Sequence, residues 1–160
     1  MINILFICHG NICRSPAAEF LAKDAARKRG IEKQLHIESA GTSMEEYGNP
    51  VYPPVRRYLA SKGIGCSEKR AVKVQKSDLL NYDYIVCMEE TNVRNLERMF
   101  PDMPMKNVYK LLDFATFEGK NIYLPETDIE DPWYTDNFEK VFSQINLGVE
   151  CMFDVILTEN

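Results

Sequence analysis

No stretch of this 160-residue sequence is apolar over anything near the roughly 20 residues a membrane-spanning helix needs. No unbroken apolar run is longer than Ile4 to Cys8, so no membrane partner is expected. The opening Met1-Ile2-Asn3 has no basic region and no small-residue cleavage site, and no secretory signal is expected either. Histidine is scarce, at two residues, and Cys8, Cys13, Cys66, Cys87 and Cys151 show no paired zinc spacing. Neither a metal nor another cofactor is expected. An odd cysteine count without a secretion signal argues against a disulfide scaffold and for a reducing compartment, the cytoplasm. Positive charge is in deficit: 19 Lys and Arg stand against 24 Asp and Glu, a formal net charge of −5. Nucleic-acid backbones demand a basic stripe, so that class of partner is not expected. Internal repeats, low-complexity stretches and linkers are missing as well.

What remains is an ordinary globular composition, 45% apolar and 27% charged, with enough branched and aromatic residues to build a core. The length fits one domain over residues 1–160. The charge is uneven. Residues 1–30 carry five basic and two acidic side chains, whereas residues 115–160 carry two basic and ten acidic ones. The plain reading of that acidic tail is a solvated helix face with a surface loop; the sharper one gives part of it to a site.

Strand and helix signals alternate. Ile2 to Ile7 reads as a strand covered on both faces. Ser15-Pro16 reads as a helix start, with Ser15 as N-cap and Pro16 at the first helical position. Ala18, Leu21, Ala22 and Ala25 form that helix's apolar face, and Lys28, Arg29 and Gly30 close it. Leu35 to Glu38, Tyr84 to Met88 and Val108 to Leu112 read as three further strands. Helices are expected around Val55, Tyr58 and Leu59 up to Gly63, and around Val93, Leu96 and Met99 up to Pro101. Phe138, Val141, Phe142, Ile145, Val149, Met152, Phe153 and Ile156 recur at helical spacing and predict a long closing helix. The order implies an α/β domain with a parallel sheet and helices on both faces. Residues 115–135 form the longest stretch without periodicity, and such loops are usually functional.

Open parallel sheets bind ligands at the carboxyl ends of their strands. Residues 8–15, Cys8-His9-Gly10-Asn11-Ile12-Cys13-Arg14-Ser15, lie there, between the first strand and its helix. Glycine lets such a backbone bend so that amides face an anion, and the helix N-terminus adds positive potential. The ATP-binding pattern Gly-x-x-x-x-Gly-Lys-Ser is absent. Instead Cys8 is followed after five residues by Arg14. A thiol at a helix N-terminus beside a guanidinium is driven toward thiolate. A guanidinium fork suits two phosphate oxygens at once. A thiolate at the base of an anion cradle is a nucleophile aimed at phosphorus. Five cysteines and eight arginines would give Cys-x₅-Arg by chance about 0.25 times, so the spacing alone decides little. Its place between a strand and a Ser-Pro helix start, with a glycine inside, is what makes it specific.

Leu5 through Glu19 closely resembles the signature of the low-molecular-weight protein tyrosine phosphatases. The resemblance continues through Glu38 to Ser43, Asp83 to Asn92, and Asp131-Pro132-Trp133-Tyr134, and so touches nearly the whole chain. It implies a four-stranded parallel sheet flanked by helices, with the phosphate-binding loop after the first strand. It implies that Cys8 attacks phosphorus to form a phosphocysteine, while Arg14 and the amides of His9, Gly10, Asn11, Ile12 and Cys13 hold the non-bridging oxygens. Ser15 would donate to the Cys8 thiolate, with Asn11 and Ser39 bracing the loop. For those two, plain turn chemistry is the alternative. Asp131 would protonate the leaving phenol and then activate water. Read from the residues alone, Asp128 and Glu130 compete for that role. Trp133 and Tyr134 would flank an aryl ring. The implied partners are a phosphotyrosine protein or small aryl phosphate, with inorganic phosphate as product.

The sequence departs from the family at Glu68-Lys69, where a histidine is common, at Tyr52, where an acid is common, and at Glu45, where a bulky residue often lines the pocket. His9 could touch substrate, whereas His36 reads as an ordinary strand residue. Three rival functions share the pattern. Thiol-linked arsenate reduction needs relay cysteines; Cys87 ends the third strand, but no other cysteine follows until Cys151. Phosphoarginine hydrolysis goes, in similar family members, with Thr where Ile12 stands. A non-catalytic phosphotyrosine reader would need Arg14 but not Asp131.

Overall fold

The computed structural model describes residues 1–116 and 127–159. The middle of the expected long loop, 117–126, therefore lies outside the described residues. Four strands form one sheet: β1 (Ile2–Cys8), β2 (Leu35–Gly41), β3 (Tyr84–Cys87) and β4 (Val108–Lys110). Their order is β2-β1-β3-β4 and every pairing is parallel. The helices are α1 (Arg14–Lys28), α2 (Pro53–Ser61), α3 (Lys76–Asn81), α4 (Glu90–Met99), α5 (Pro132–Thr135) and α6 (Phe138–Glu159).

The two-residue period of β1 decides what covers each face. Ile4, Phe6 and Cys8 join the larger core, with α1, α2 and α6. Leu5 and Ile7 join a smaller core with Leu79 of α3 and Leu96 of α4. Burial on both sides is why this strand reads as a continuous apolar run. Because β2 and β3 flank β1 on opposite sides, the chain reverses its winding at β1. The loop that follows β1 thus opens at the switch point of the sheet.

Three expectations are corrected, and one helix, α3, was not foreseen. Helix α1 starts at Arg14, with Cys13 before it and no side-chain cap, so Ser15 is not the N-cap and Pro16 is not the first helical residue. The Ser15 hydroxyl is turned inward, 2.9 Å from the Cys8 sulfur, instead of toward the first-turn amides. Strand β4 stops at Lys110, and Leu111–Thr116 forms a 3₁₀ turn that buries Leu111, Leu112, Phe114 and Ala115. That turn packs on α6 so closely that a Cβ at Gly148 would lie 2.5 Å from Leu111 Cγ. Strand β2 runs three residues past Glu38, pairing Ser39, Ala40 and Gly41 with Phe6, Ile7 and Cys8. Helix α3 carries a single buried residue, Leu79, too little apolar signal for a periodicity reading.

Helix α6 is, by length and composition, apolar enough to cross a bilayer over Phe138–Thr158, which a count of unbroken runs passes over. Half of that window is buried inside the protein, so it is the core helix of this fold. Val141, Ile145, Val149, Met152, Phe153 and Ile156 supply its buried stripe.

Candidate active site

The cradle is built by residues 8–15 between β1 and α1. Its carbonyls are tied to the chain leaving β2: Thr42 N donates to Cys8 O and Ser43 N to His9 O, both at 3.0 Å. On the far side Tyr52 N donates to Ile12 O at 2.9 Å. This contact is so close that a Cβ on Gly41 would sit 2.6 Å from His9 O, and no other residue fits there.

Asn11 turns the loop. Its φ of 61° lies in the left-handed region, where a non-glycine residue is strained. The strain is held by a fully used side chain, 1% exposed. Asn11 Nδ2 donates to Ser15 Oγ at 2.9 Å and to Ser39 Oγ at 3.0 Å, and Oδ1 accepts from Val72 N at 3.0 Å. In this shape Asn11 N donates to the Cys8 sulfur at 3.3 Å.

Arg14 is 2% exposed, and its guanidinium is fixed from three directions. Nη1 donates to Ile129 O at 2.8 Å and lies 3.2 Å from Glu89 Oε2. Nη2 meets Glu89 Oε1 and Asp131 Oδ2, each at 3.4 Å. Burial works against the arginine charge, but Cys8, Glu89 and Asp131 outweigh it and raise its pKa above the ordinary value. For Cys13, burial, reinforced by Cys8 and Asp131, pushes the thiol up to about 12.

Asp131 caps the short helix α5: its Oδ1 accepts from Trp133 N at 3.0 Å, leaving Oδ2 toward Arg14. Of the three acids in this stretch, Asp131 lines the cleft above Cys8. Asp128 instead accepts from Glu90 N at 2.9 Å and from Lys110 at 3.1 Å. Glu130 pairs with Lys140 at 2.7 Å, and that bond, with Thr135, lowers its pKa.

The cleft holds about 140 Å³, with Cys8, Cys13 and Arg14 at its base. Trp133 and Tyr134 form one wall, and His9, Glu45 and Glu46 form the other. Trp133 rests on Tyr52 with ring centroids 5.2 Å apart, and Tyr52 in turn stacks on Phe138 at 6.2 Å. The acid-to-tyrosine departure at position 52 thus supplies an aromatic brace for that wall. Glu45 Oε2 lies 3.5 Å from His9 Nε2 across the opposite rim. His36 stands away from the cleft on β2, 6.0 Å from the Tyr82 ring.

The structure brings Cys8, Arg14, Asp131 and all the expected loop residues to one place, with Ser39 behind them. Sequence reasoning missed Glu89, which orients Arg14, and the buried pair Glu19 and Lys69 behind Ser39. A signal for Glu19 existed: a carboxylate three residues before Ala22 and one after Ala18 shares the buried side of α1. Among the described residues, no group of three or more His, Cys, Asp or Glu could hold a metal ion.

The fold and site define a strand–loop–helix cleft at the carboxyl end of a parallel sheet, lined by a thiol, a guanidinium and a carboxyl. The profile of the low molecular weight phosphotyrosine protein phosphatase family matches residues 3–159. The low molecular weight protein-tyrosine-phosphatase YfkJ of Bacillus subtilis is 36% identical over 159 residues, 99% of this chain and 98% of the relative. Its crystal structure superposes with a TM-score of 0.91, covering 100% of this chain and 97% of that one. The low molecular weight protein-tyrosine-phosphatase PtpA of Staphylococcus epidermidis is 31% identical, over 99% of this chain and 96% of its own. The crystal structure of a protein tyrosine phosphatase from Entamoeba histolytica, 28% identical, gives a TM-score of 0.86 over 99% of this chain and 98% of that chain. The chain belongs to the low molecular weight protein-tyrosine-phosphatase family and is a hydrolase of that class.

Proposed function

We propose that the protein hydrolyses phosphotyrosine, on proteins or small aryl phosphates, through a phosphocysteine on Cys8. The observation that carries this reading is the convergence of the Cys8 sulfur, the Arg14 guanidinium and the Asp131 carboxyl on one cleft. The Cys8 thiolate attacks phosphorus and forms the S–P bond as the bond from phosphorus to the phenol oxygen breaks. Asp131 gives its proton to that oxygen. Arg14 and the loop amides hold the non-bridging oxygens while charge shifts among them. Water then attacks phosphorus, Asp131 takes its proton, and the S–P bond breaks to release inorganic phosphate. Ser15, 2.9 Å from the sulfur, donates to the thiolate in both steps. Five free cysteines support a reducing compartment, the cytoplasm. Steady-state assays on an aryl phosphate, phosphoarginine and arsenate test the substrate. Turnover of the aryl ester should exceed the other two by at least about a hundredfold. Preference for phosphoarginine or arsenate would contradict the reading. Cys87 is fully buried, which disfavours it as a relay thiol for arsenate chemistry.

Trp133 and Tyr134 stand beside Asp131 at the mouth and select flat aryl groups. An aromatic pair contributes about 0.5–1.5 kcal/mol beyond area burial. Trp133→Ala should lower kcat/KM for aryl phosphates about tenfold and leave small alkyl phosphates little changed. Equal losses on both substrates in Trp133→Ala and Tyr134→Ala would show that these rings only support the Asp131 loop.

We infer that Cys13, which lines the same cleft, traps an oxidised Cys8. A sulfenic acid on Cys8 condenses with the Cys13 thiol, forming the disulfide and releasing water. Peroxide should inactivate the wild type reversibly and Cys13→Ser irreversibly. Because burial pushes the Cys13 thiol up to about 12, its thiolate is scarce at neutral pH and grows with pH. Trapping should therefore accelerate as pH rises from 6 to 9, by up to about tenfold per unit. Equal recovery by dithiothreitol in both proteins would remove this role.

A further inference from the structure

Tyr52 joins the base of the cleft to its aromatic wall, and its backbone is held on two sides. Tyr52 N donates to Ile12 O at 2.9 Å. Tyr52 O accepts from Val55 N and Arg56 N in the first turn of α2, both at 3.0 Å. A residue before proline is confined to the extended region, and Tyr52, before Pro53, has φ −58° and ψ 136°. Its place relative to Ile12 is therefore fixed.

The ring is partly buried and equally constrained. It stacks on Phe138, the first residue of α6, at 6.2 Å. Phe138 lies 6.0 Å from Phe142, and Phe142 stacks on Tyr58 of α2 at 3.8 Å. These four rings tie the start of α6 to α2 as one block. Trp133 leans on the end of that block, 5.2 Å from Tyr52 with the planes at 54°. It needs such a seat, because α5 has only four residues and Trp133 is 55% exposed. The Asp131 cap holds the Trp133 amide but not its indole. The direction of the indole is left to Tyr52, which does not itself line the cleft.

We propose that Tyr52 is a positioning residue for substrate choice: it seats the Trp133 indole at a set distance from the anion cradle, and so favours flat aryl esters over alkyl ones. The proposal rests on reading the protein as an aryl phosphatase and assigns part of its selectivity to a side chain that touches no substrate. Without the Tyr52 ring, the indole must be ordered when the substrate arrives, and that ordering is subtracted from binding. Alkyl esters make no use of the indole face, so they keep their rate.

The test compares Tyr52→Ala, Tyr52→Phe, Trp133→Ala and the double alanine variant. It reads kcat/KM on an aryl and a small alkyl phosphate, and the fluorescence of Trp133, the only tryptophan in the sequence. Fluorescence reports the seat without turnover, so it separates this proposal from the phosphatase reading. In Tyr52→Ala, kcat/KM on the aryl ester should fall about fivefold, within the range of one aromatic pair, and change less than about twofold on the alkyl ester. Acrylamide should quench Trp133 more strongly than in wild type. Tyr52→Phe should restore both readouts, since the ring makes the contact. The double variant should lose about tenfold, no more than Trp133→Ala alone, instead of the roughly fiftyfold of independent sites. Inhibition by inorganic phosphate should stay within about twofold, because alanine keeps the amide that holds Ile12 O. An unchanged aryl preference in Tyr52→Ala, unchanged quenching, or additive losses in the double variant would overturn the proposal and leave the phosphatase reading standing. Equal losses on both esters, or phosphate inhibition weakened about tenfold, would also overturn it, since Tyr52 would then support the cradle or the Asp131 loop. A wild type that turns over no aryl phosphate overturns the phosphatase reading itself. Should Tyr52→Ala fail to fold, Tyr52→Leu keeps the apolar bulk without a flat face. An unchanged aryl preference there overturns the proposal, and a loss of about fivefold on the aryl ester alone supports it.

Discussion

Cys8→Ser should lose at least about 10⁴-fold in kcat on aryl phosphates while still binding a phosphate analogue. The two halves of that result come from different parts of the site. In the proposed mechanism the anion is held by the loop amides and by Arg14, which Ile129 O, Glu89 and Asp131 fix independently of the sulfur. A serine hydroxyl occupies nearly the same volume, so the cradle keeps its shape and its charge. What disappears is the thiolate, because a hydroxyl has no comparable anionic fraction at neutral pH and is a far weaker nucleophile. Isothermal titration with vanadate or phosphate, alongside steady-state rates, reads both halves. Joint loss of binding and turnover would mean that Cys8 shapes the cradle instead of reacting in it.

The second large effect concerns Asp131. The proposed reaction needs Cys8 ionised and the leaving-group acid protonated, so kcat/KM should trace a bell. Asp131→Asn keeps the size of the side chain and leaves an oxygen able to cap Trp133 N, as Oδ1 does now at 3.0 Å. It removes only the proton. The alkaline limb should vanish, and kcat should fall about 10²–10⁴-fold for esters with poor leaving groups. Esters of acidic phenols, which leave without help, should lose far less. The sign follows from which state is required: raising pH strips the proton that departs with the phenol, and the Asn variant has none to lose. An unchanged pH profile in Asp131→Asn would pass the role to another acid. Asp128 and Glu130 are poorly placed for it, since they are held by Lys110 and Lys140.

The α/β order was legible because its signals are local. Burial on both faces leaves β1 continuously apolar, and the 3.6-residue stripe of α6 spans its whole length. The parts that misread were those where the site overrides local chemistry. Ser15-Pro16 has the composition of a helix cap, but the hydroxyl is engaged by Cys8 and Asn11. Leu111 and Leu112 look like strand residues, yet they turn out of the sheet to pack on α6. Cys8, Arg14 and Asp131, which meet at one cleft, could be picked from motif and position. Their supports could not, because they arrive across the fold. Glu89 reaches Arg14 over 75 positions, and Lys69 reaches Ser39 over 30. No spacing rule connects residues that meet only when β1, β2 and β3 are laid side by side.

The central claim is the covalent bond between Cys8 and phosphorus, and rapid-quench labelling of Asp131→Ala tests it most directly. This variant can still be phosphorylated by an ester of an acidic phenol, but it lacks the base that activates water. The expected result is a burst of phenol equal to the enzyme present, with the phosphoryl label retained on the peptide that carries Cys8. Phenol release with no burst and no labelled protein would contradict the account.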